Sequence, residues 1–225
     1  MTQTLRLGSI APNFQAKSSH GELDFHSYMD SNWTILFSHP DDFTPVCTTE
    51  IGALSCIRHQ FSQRGVKLLG LSINDEASHH GWISDINELY NTSVTFPIIA
   101  DCDRSVATLY DMLDFLDETN VDSKGDQLTV RSLFIIDPAK RIRLILSYPA
   151  STGRNWDEVL RAVDSLQLGD KHSVTTPANW IRGDSVIVHP TVTDEQAVQR
   201  FGDVDFKKPY LRMTRDPMTT NESKQ

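Results

Sequence analysis

The sequence contains only three cysteines among its 225 residues, Cys47, Cys56 and Cys102. An odd number of cysteines excludes a scaffold in which every cysteine pairs in a disulfide within the chain. No two cysteines have the CxxC spacing, so a redox-active dithiol of that kind is also excluded. In a reducing compartment all three would be thiols, and what matters is whether any of them is reactive.

Basic residues are also scarce. The 21 Lys and Arg residues stand against 30 Asp and Glu residues, which gives a net charge of −9 at pH 7. A nucleic-acid-binding protein usually carries a basic excess, so we expect no nucleic-acid partner. The densest basic stretch, residues 207–215 with Arg212, lies between Asp205 and Asp216, and we interpret it as a solvated surface.

Long apolar runs are missing. No run approaches the roughly 18 residues that indicate a transmembrane helix, so we expect no membrane span. The first residues, MTQTLRLGSIAPNF, have neither the apolar core of a signal peptide nor the Arg-rich amphipathic pattern of a transit peptide, and we expect a cytoplasmic location. The apolar share of 39% and the charged share of 23% are ordinary for a globular chain.

Strand and helix patterns alternate along the chain. Hydrophobic periodicity predicts strands at 33–39, 66–73, 96–100, 130–137 and 141–148, and helices at 47–63, 76–90, 104–113, 154–167 and 193–201. This order, with a hairpin before the fourth helix, is typical of an α/β fold with a thioredoxin-like core. Periodic runs become few after residue 169. We therefore predict a thioredoxin-like domain over 5–169 and a small appended C-terminal domain over 170–225 with a disordered tail.

The predicted strand-to-helix junction at residues 39–50, HPDDFTPVCTTE, carries the most informative residues. Cys47 falls in the first turn of the predicted helix, where unpaired backbone N–H groups stabilise a thiolate. The first cysteine of a CxxC motif would stand at Thr44, whose hydroxyl forms no disulfide but can hydrogen-bond an oxygen substrate. The pattern indicates a lone nucleophilic thiolate beside a hydroxyl.

Pro40, Thr44 and Cys47 form the PxxxTxxC signature of the peroxiredoxins, and the junction closely resembles that of the 1-Cys, peroxiredoxin-6-type class. Further segments resemble motifs of this family: VRSLF at 130–134, YPASTGRN at 148–155, PANW at 177–180 and YLR at 210–212. The resemblance implies that 5–169 is a peroxidase domain. It also implies that 170–225 is a C-terminal peroxiredoxin module associated with a homodimer.

The resemblance implies roles for seven residues. Cys47 is expected to be the peroxidatic nucleophile, which attacks the peroxide and becomes a sulfenic acid. Arg131 is expected to stabilise both the thiolate and the charge that develops on the leaving oxygen. The other implied roles are peroxide binding by Thr44, shielding of the sulfenate by Pro40, orientation of Arg131 by Glu50 and Arg154, and an additional pocket position for His39.

Thr176 departs from the 2-Cys relatives, which carry a resolving cysteine at the corresponding position. Cys56 lies about 13.5 Å from Cys47 along one predicted helix, beyond the reach of a disulfide. An external thiol is therefore expected as the reductant, with glutathione, thioredoxin, another thiol or ascorbate left open. No cofactor or metal is expected, because neither Cys56 with His59 nor the His79–His80 pair has further ligands at zinc spacing.

The predicted function is reduction of hydrogen peroxide and organic hydroperoxides in antioxidant defence. A redox-sensing or chaperone-like homo-oligomer is the alternative, and it would consume only a stoichiometric amount of peroxide. Oxidised Cys47 has an alternative fate too, a disulfide with Cys102 of a second copy. Some peroxiredoxin-6-type proteins carry a lipase serine where this chain has Asn32, so we expect no phospholipase activity.

Overall fold

A computed structural model describes residues 5–218 as two compact units, one ending at Trp156 and the other beginning at Asp157. The strands are β1 (Gln15–Ser18), β2 (Gly21–Asp24), β3 (Trp33–Ser38), β4 (Val66–Ser72), β5 (Ile98–Ala100), β6 (Arg131–Ile136), β7 (Ile142–Tyr148), β8 (Val174–Thr175), β9 (Val186–Val188), β10 (Val204–Lys208) and β11 (Leu211–Thr214). The helices are α1 (Phe25–Met29), α2 (Pro45–Ser62), α3 (Glu76–Tyr90), α4 (Ser105–Leu109), α5 (Trp156–His172) and α6 (Asp194–Phe201).

The first unit is built on a seven-stranded sheet in the order β2-β1-β5-β4-β3-β6-β7. Strands β3, β4 and β5 are parallel, whereas β6 and β7 form an antiparallel hairpin next to β3. Strand β6 is buried along its whole length, as expected for a strand of a sheet that is covered on both faces. These strands and the helices between them confirm the predicted α/β class.

The N-terminal hairpin β1–β2 and the short helix α1 were not predicted. Strand β1 reads QAKS, and its largely exposed side chains give no apolar alternation. Gly21 adopts φ +92° at the turn, a conformation that favours glycine. Helix α1 has five residues, too few for a 3.6-residue period to be visible, and it is fixed locally by Asp24, whose side chain accepts from the Ser27 N–H.

Helix α2 begins two residues earlier than predicted. Thr44 is its N-cap in an extended conformation and Pro45 is its first residue, a position at which the missing proline N–H costs nothing. Cys47 is therefore the third residue of the helix, still within the first turn. The helix ends at Ser62, and Gly65 follows with φ +63°.

Helix α3 spans the predicted residues 76–90. The Asp75 side chain accepts from the Ser78 N–H at its start, and Asn91 closes its end in a left-handed conformation. Helix α4 stops at Leu109 rather than at residue 113, since the chain turns through Asp111 with φ +53°.

The second unit combines α5 and α6 with a four-stranded sheet in the order β10-β11-β9-β8. Its strands have two to five residues, which explains why periodicity predicted only the two helices. The interpretation of the basic stretch as a solvated surface is wrong for Arg212. This residue is only 7% exposed and donates to the Val192 carbonyl and the Asp194 carboxylate, both at 2.7 Å. The predicted boundary at 169/170 lies near the end of α5 and stays a prediction.

The predicted disordered tail falls almost entirely on residues 219–225, which lie outside the described residues. Within residues 5–218, no helix combines the length and the apolar character that crossing a membrane requires.

Candidate active site

Cys47 lies in the first turn of α2, fully buried and with its thiol free. Its sulfur is 3.3 Å from Nη1 of Arg131. The backbone N–H groups of a helix's first turn and a guanidinium both favour negative charge, so the surroundings of this sulfur suit a thiolate.

Arg131 is the first residue of β6, and the sheet itself brings it to Cys47. Strand β3 leads into α2 and pairs with β6, so the start of β6 lies at the same edge as the start of the helix. Nε and Nη2 of Arg131 both donate to the Ala150 carbonyl, at 2.9 and 2.6 Å. These bonds fix the plane of the guanidinium and leave Nη1 to donate to Cys47 and Glu50.

Glu50 lies one helical turn after Cys47 and is 4% exposed. It accepts from Nη1 of Arg131 at 2.7 Å and from the backbone N, Nε and Nη2 of Arg154 at 2.7, 2.9 and 2.8 Å. Burial by itself would raise the pKa of this carboxyl, but the two guanidiniums, Arg154 first, hold the pKa below its ordinary value. One carboxylate and two guanidiniums leave a net positive charge facing Cys47.

Arg154 links the ends of the central strands to this cluster. Its Nη1 donates to the carbonyls of Ser38 at 2.9 Å and Ser132 at 3.1 Å. The guanidinium carbon lies 5.1 Å from the ring centres of both Phe37 and Trp156, within the range of a cation–π contact. The buried guanidinium of Arg154 therefore contacts one carboxylate, two carbonyls and two aromatic rings.

Thr44 and Pro40 belong to the loop that joins β3 to α2. The Thr44 hydroxyl donates to the Asp41 carbonyl at 2.8 Å, so its oxygen lone pairs stay available as acceptors. Pro40 is buried in the same loop. The β3–α2 junction and the start of α2 thus carry Pro40, Thr44, Cys47 and Glu50. Arg131 comes from the start of β6, and Arg154 from the segment between β7 and α5.

His39 is buried at the end of β3, but it takes no part in the hydrogen bonds of the arginine–glutamate cluster. Its Nε2 lies 2.9 Å from Oδ1 of Asp42, and Oδ2 of the same carboxylate lies 2.7 Å from Nδ1 of His79. Burial lowers the pKa of the His39 imidazole. In the sequence, His79 stands out only as half of a His79–His80 pair that lacks further zinc ligands. Nothing in the sequence shows that Asp42 and His79, 37 positions apart, lie together.

The remaining candidate residues lie apart from this cluster. Cys56 and Cys102 are both exposed, and partial burial followed by the charge of Asp75 raises the pKa of Cys102. Asn32 donates its side-chain amide to the Met29 carbonyl and offers no nucleophile. Across residues 5–218, no group of three or more His, Cys, Asp or Glu side chains is arranged to hold a metal ion.

Two family models match the chain. Residues 7–145 match the AhpC/TSA family, and residues 165–203 match the C-terminal domain of 1-Cys peroxiredoxin. The mitochondrial peroxiredoxin PRX1 of Saccharomyces cerevisiae is 50% identical over 94% of this chain and 81% of its own length. Peroxiredoxin-6 of Rattus norvegicus is 46% identical over 95% of this chain and 98% of its own.

Two solved peroxiredoxin structures have the same fold as this chain. A mutant of peroxiredoxin 6 from Arenicola marina has a TM-score of 0.91 and 42% identity, covering 95% of this chain and 99% of that one. The yeast mitochondrial 1-Cys peroxiredoxin, whose thiol resolving mechanism via glutathione/thioredoxin systems has been described, has a TM-score of 0.85 and 47% identity, covering 94% and 100%.

The fold and the cysteine at its strand-to-helix junction define a thioredoxin-like, thiol-dependent peroxidase. The chain belongs to the AhpC/TSA family, and within it to the 1-Cys peroxiredoxins of the peroxiredoxin-6 type.

Proposed function

We propose that Cys47 attacks the terminal oxygen of hydrogen peroxide or an organic hydroperoxide, with the neighbouring residues in the roles that follow from their contacts. The S–O bond forms as the O–O bond breaks, so sulfur becomes a sulfenic acid and the electron pair leaves on the second oxygen. That oxygen departs as hydroxide or alkoxide and takes up, through the solvent, the proton that Cys47 released on forming the thiolate. The observation that carries this proposal is the 3.3 Å contact between the Cys47 sulfur and Nη1 of Arg131.

Arg131 acts on charge at both stages of the attack. Its fixed guanidinium faces the thiolate first and then the negative charge that spreads toward the leaving oxygen. Glu50 and Arg154 hold the guanidinium in this position through the shared carboxylate. The Thr44 hydroxyl donates its proton to the Asp41 carbonyl. Its oxygen is therefore left to accept a hydrogen bond from the peroxide O–H.

The reductant is proposed to be an external thiol, either glutathione or a thioredoxin-type dithiol. The external thiol attacks the sulfenic sulfur and releases water, leaving a mixed disulfide that a second thiol opens. Cys56 lies nine residues along the same helix and Cys102 lies on a different loop, both exposed, which supports an outside resolving thiol. A panel of glutathione, thioredoxin, another thiol and ascorbate identifies the donor by sustained turnover.

The oligomer is proposed to be a homodimer joined through β7. This strand is an edge of the first unit's sheet, and an unpaired edge readily adds a strand from another chain. A cavity of about 460 Å³ lined by Leu113, Phe115 and Ile145 adjoins it, and Phe115 is 79% exposed. Light scattering after size-exclusion chromatography tests this proposal, and a monomer would contradict it.

The location is proposed to be the cytoplasm. All three cysteines are free thiols, which suits a reducing compartment. Subcellular fractionation tests the proposal, and recovery of the protein with another compartment would contradict it.

The catalytic proposal is tested by peroxide consumption with a thiol in excess. A peroxidase consumes many equivalents of peroxide per protein chain, and its rate disappears when Cys47 is replaced. Consumption that stops after a stoichiometric amount, despite the thiol panel, would contradict it.

A further inference from the structure

Three buried side chains connect the loop before Cys47 to helix α3. Oδ1 of Asp42 lies 2.9 Å from Nε2 of His39, and Oδ2 lies 2.7 Å from Nδ1 of His79. Ser78 of α3 also donates its hydroxyl to Oδ2 at 2.8 Å. The two histidines are 0% exposed and the aspartate is 3% exposed, so water does not substitute for any of these bonds.

The ring of His79 is held at both of its nitrogens. Nδ1 faces the Asp42 carboxylate, and Nε2 faces the Ile99 carbonyl at 3.1 Å. A carboxylate oxygen only accepts, so Nδ1–H donates to Asp42. Burial alone would raise the pKa of Asp42, but hydrogen bonds from the two imidazoles lower it. His79 is therefore fixed from two sides, by the loop before α2 and by β5.

His39 occupies the other oxygen of the same carboxylate. Its Nε2–H donates to Asp42, and Nδ1 has no hydrogen-bond partner within the described residues. Burial lowers the pKa of His39, which favours the uncharged ring. Asp42 is therefore bonded through both carboxylate oxygens, one to His39 and the other to His79 and Ser78.

The anchored loop is held at a second point by Asn74. Oδ1 of Asn74 accepts from the Asp42 backbone N–H at 3.1 Å, and Nδ2 donates to the Asp41 side chain at 2.6 Å. The Asp41 carbonyl is the acceptor of the Thr44 hydroxyl proton. The orientation of the Thr44 lone pairs thus depends on where Asp41 and Asp42 are held.

Phe43 shows why this loop needs anchoring. It lies between Asp42 and Thr44 with φ +55°, a left-handed conformation that is strained for a bulky residue. Strain of this kind persists only where the surroundings hold the chain in place. The side chain of Phe43 is 57% exposed and so supplies little of that constraint by its own packing. The buried Asp42 carboxylate is the neighbouring group with the contacts to supply it.

We propose that His79 is a positioning residue of the peroxidase: with its ring fixed between Ile99 and Asp42, it holds the strained loop that presents Thr44 to the peroxide. The inference rests on the proposed role of Thr44 in binding peroxide. It assigns His79 no contact with the substrate.

The test compares two amide replacements of His79 that each keep one donor. The amide nitrogen in His79→Asn stands near Nδ1 and can still donate to Asp42, whereas the amide nitrogen in His79→Gln stands near Nε2 and donates only to Ile99. His80→Gln is the matched control, because His80 is the exposed neighbour on the same helix. For each protein, the single-turnover rate with hydrogen peroxide is measured alongside the alkylation rate of Cys47 by iodoacetamide.

A positioning role predicts a split between the two rates. His79→Gln should lower the peroxide rate about tenfold or more, equivalent to about 1.4 kcal/mol or more, and leave the alkylation rate within about twofold, since alkylation needs the thiolate but not Thr44. His79→Asn should recover most of the peroxide rate, and His80→Gln should match the wild type. Equal peroxide rates in His79→Gln and the wild type, or parallel loss of both rates, would overturn the inference.

A second measurement keeps the inference testable if His79→Gln does not fold. In the wild-type protein labelled with ¹⁵N-histidine, the Nδ1–H of His79 should be observed and should exchange slowly with solvent, because it is buried against Asp42. An unprotonated Nδ1 would overturn the proposal. Failure of the proposed function is distinguishable from both results. In that case the wild-type protein itself would not turn over peroxide.

Discussion

Arg131 donates to the sulfur of Cys47 with the same nitrogen, Nη1, that it directs at Glu50, at 3.3 and 2.7 Å. Its other two nitrogens are both committed to the Ala150 carbonyl. The guanidinium is therefore aimed at the sulfur by bonds that exist before any peroxide arrives. A donor fixed in advance stabilises developing charge without having to reorganise during the reaction.

Replacement of Arg131 by lysine should slow the peroxide step even though the charge is kept. A lysine has one nitrogen and cannot bind Ala150, Glu50 and the sulfur in a fixed fork. We expect the second-order rate with hydrogen peroxide to fall about 10²–10³-fold, the loss found for one missing oxyanion donor. Stopped-flow measurement checks this, with Arg161→Lys as a control that should keep the wild-type rate, because the half-buried Arg161 pairs with Glu158 on α5. A loss of less than threefold in Arg131→Lys would contradict the assignment.

The nucleophile is tested by three serine variants. Cys47→Ser should abolish peroxide consumption, because a serine hydroxyl is a much weaker nucleophile than a cysteine sulfur. Cys56→Ser and Cys102→Ser should keep most of the activity, since both thiols are exposed and lie away from the arginine pair. A coupled peroxide assay with excess dithiothreitol makes the comparison. Equal losses in Cys47→Ser and Cys102→Ser would show that the nucleophile is wrongly assigned.

Glu50 should contribute to the stability of the fold as well as to the position of Arg131. Glu50→Gln leaves two buried guanidiniums without their carboxylate, and breaking a buried pair in this way costs about 3–5 kcal/mol. Chemical denaturation measures the loss. Glu76→Gln is the control, because its partially exposed pair with Lys17 spans 3.7 Å and should be worth less than about 1 kcal/mol.

The paired carboxylate of Glu50 should also make the stability of the protein depend on pH. The folded-state pKa of Glu50 is lowered, so its stabilising effect is complete above the unfolded value of about 4.3 and declines as the pH falls toward the folded-state value. We expect the wild-type protein to lose more stability than Glu50→Gln between pH 5 and pH 3 (roughly the span around that value). Parallel curves for the two proteins would count against an ionised, paired Glu50.

Much of this site was predictable because its residues carry local patterns. Proline followed by cysteine at a strand-to-helix junction identifies Cys47 as lying in a helix's first turn, and α2 places it there. The cluster around it depends instead on sheet pairing. Nothing in the spacing of residues 50, 131 and 154 shows that β3 and β6 lie side by side, so the roles of Glu50, Arg131 and Arg154 came only from family resemblance.

The elements that were missed are short or anchored by tertiary contacts. The strands of the second unit have two to five residues, too few for a period of two to stand out in the sequence. Arg212 illustrates the difficulty: its charged sequence surroundings indicate solvent, yet its guanidinium is buried and hydrogen-bonded to two carbonyls and a carboxylate. Likewise, Asp42 and His79 meet only because α3 packs against the loop that precedes α2.

Oxidised Cys47 should remain a sulfenic acid until an outside thiol arrives. Thr176, which stands where 2-Cys relatives have a resolving cysteine, is hydrogen-bonded to Ser165 at 2.6 Å and has no sulfur to offer. One equivalent of peroxide should therefore leave a sulfenic acid that dimedone captures, detected by mass spectrometry. Excess peroxide without thiol should carry it on to the sulfinic and sulfonic acids and inactivate the protein.

A disulfide between Cys47 and Cys102 of a second copy would contradict this prediction. Cys102 is exposed, and its raised pKa makes it a poor thiolate at neutral pH, so we expect it not to attack the sulfenic acid of a second copy. Non-reducing electrophoresis after stoichiometric oxidation should then show a monomer band. A dominant disulfide-linked dimer that disappears in Cys102→Ser would mean that the chain supplies its own resolving thiol from a partner copy, and that the external thiol acts only on the resulting disulfide.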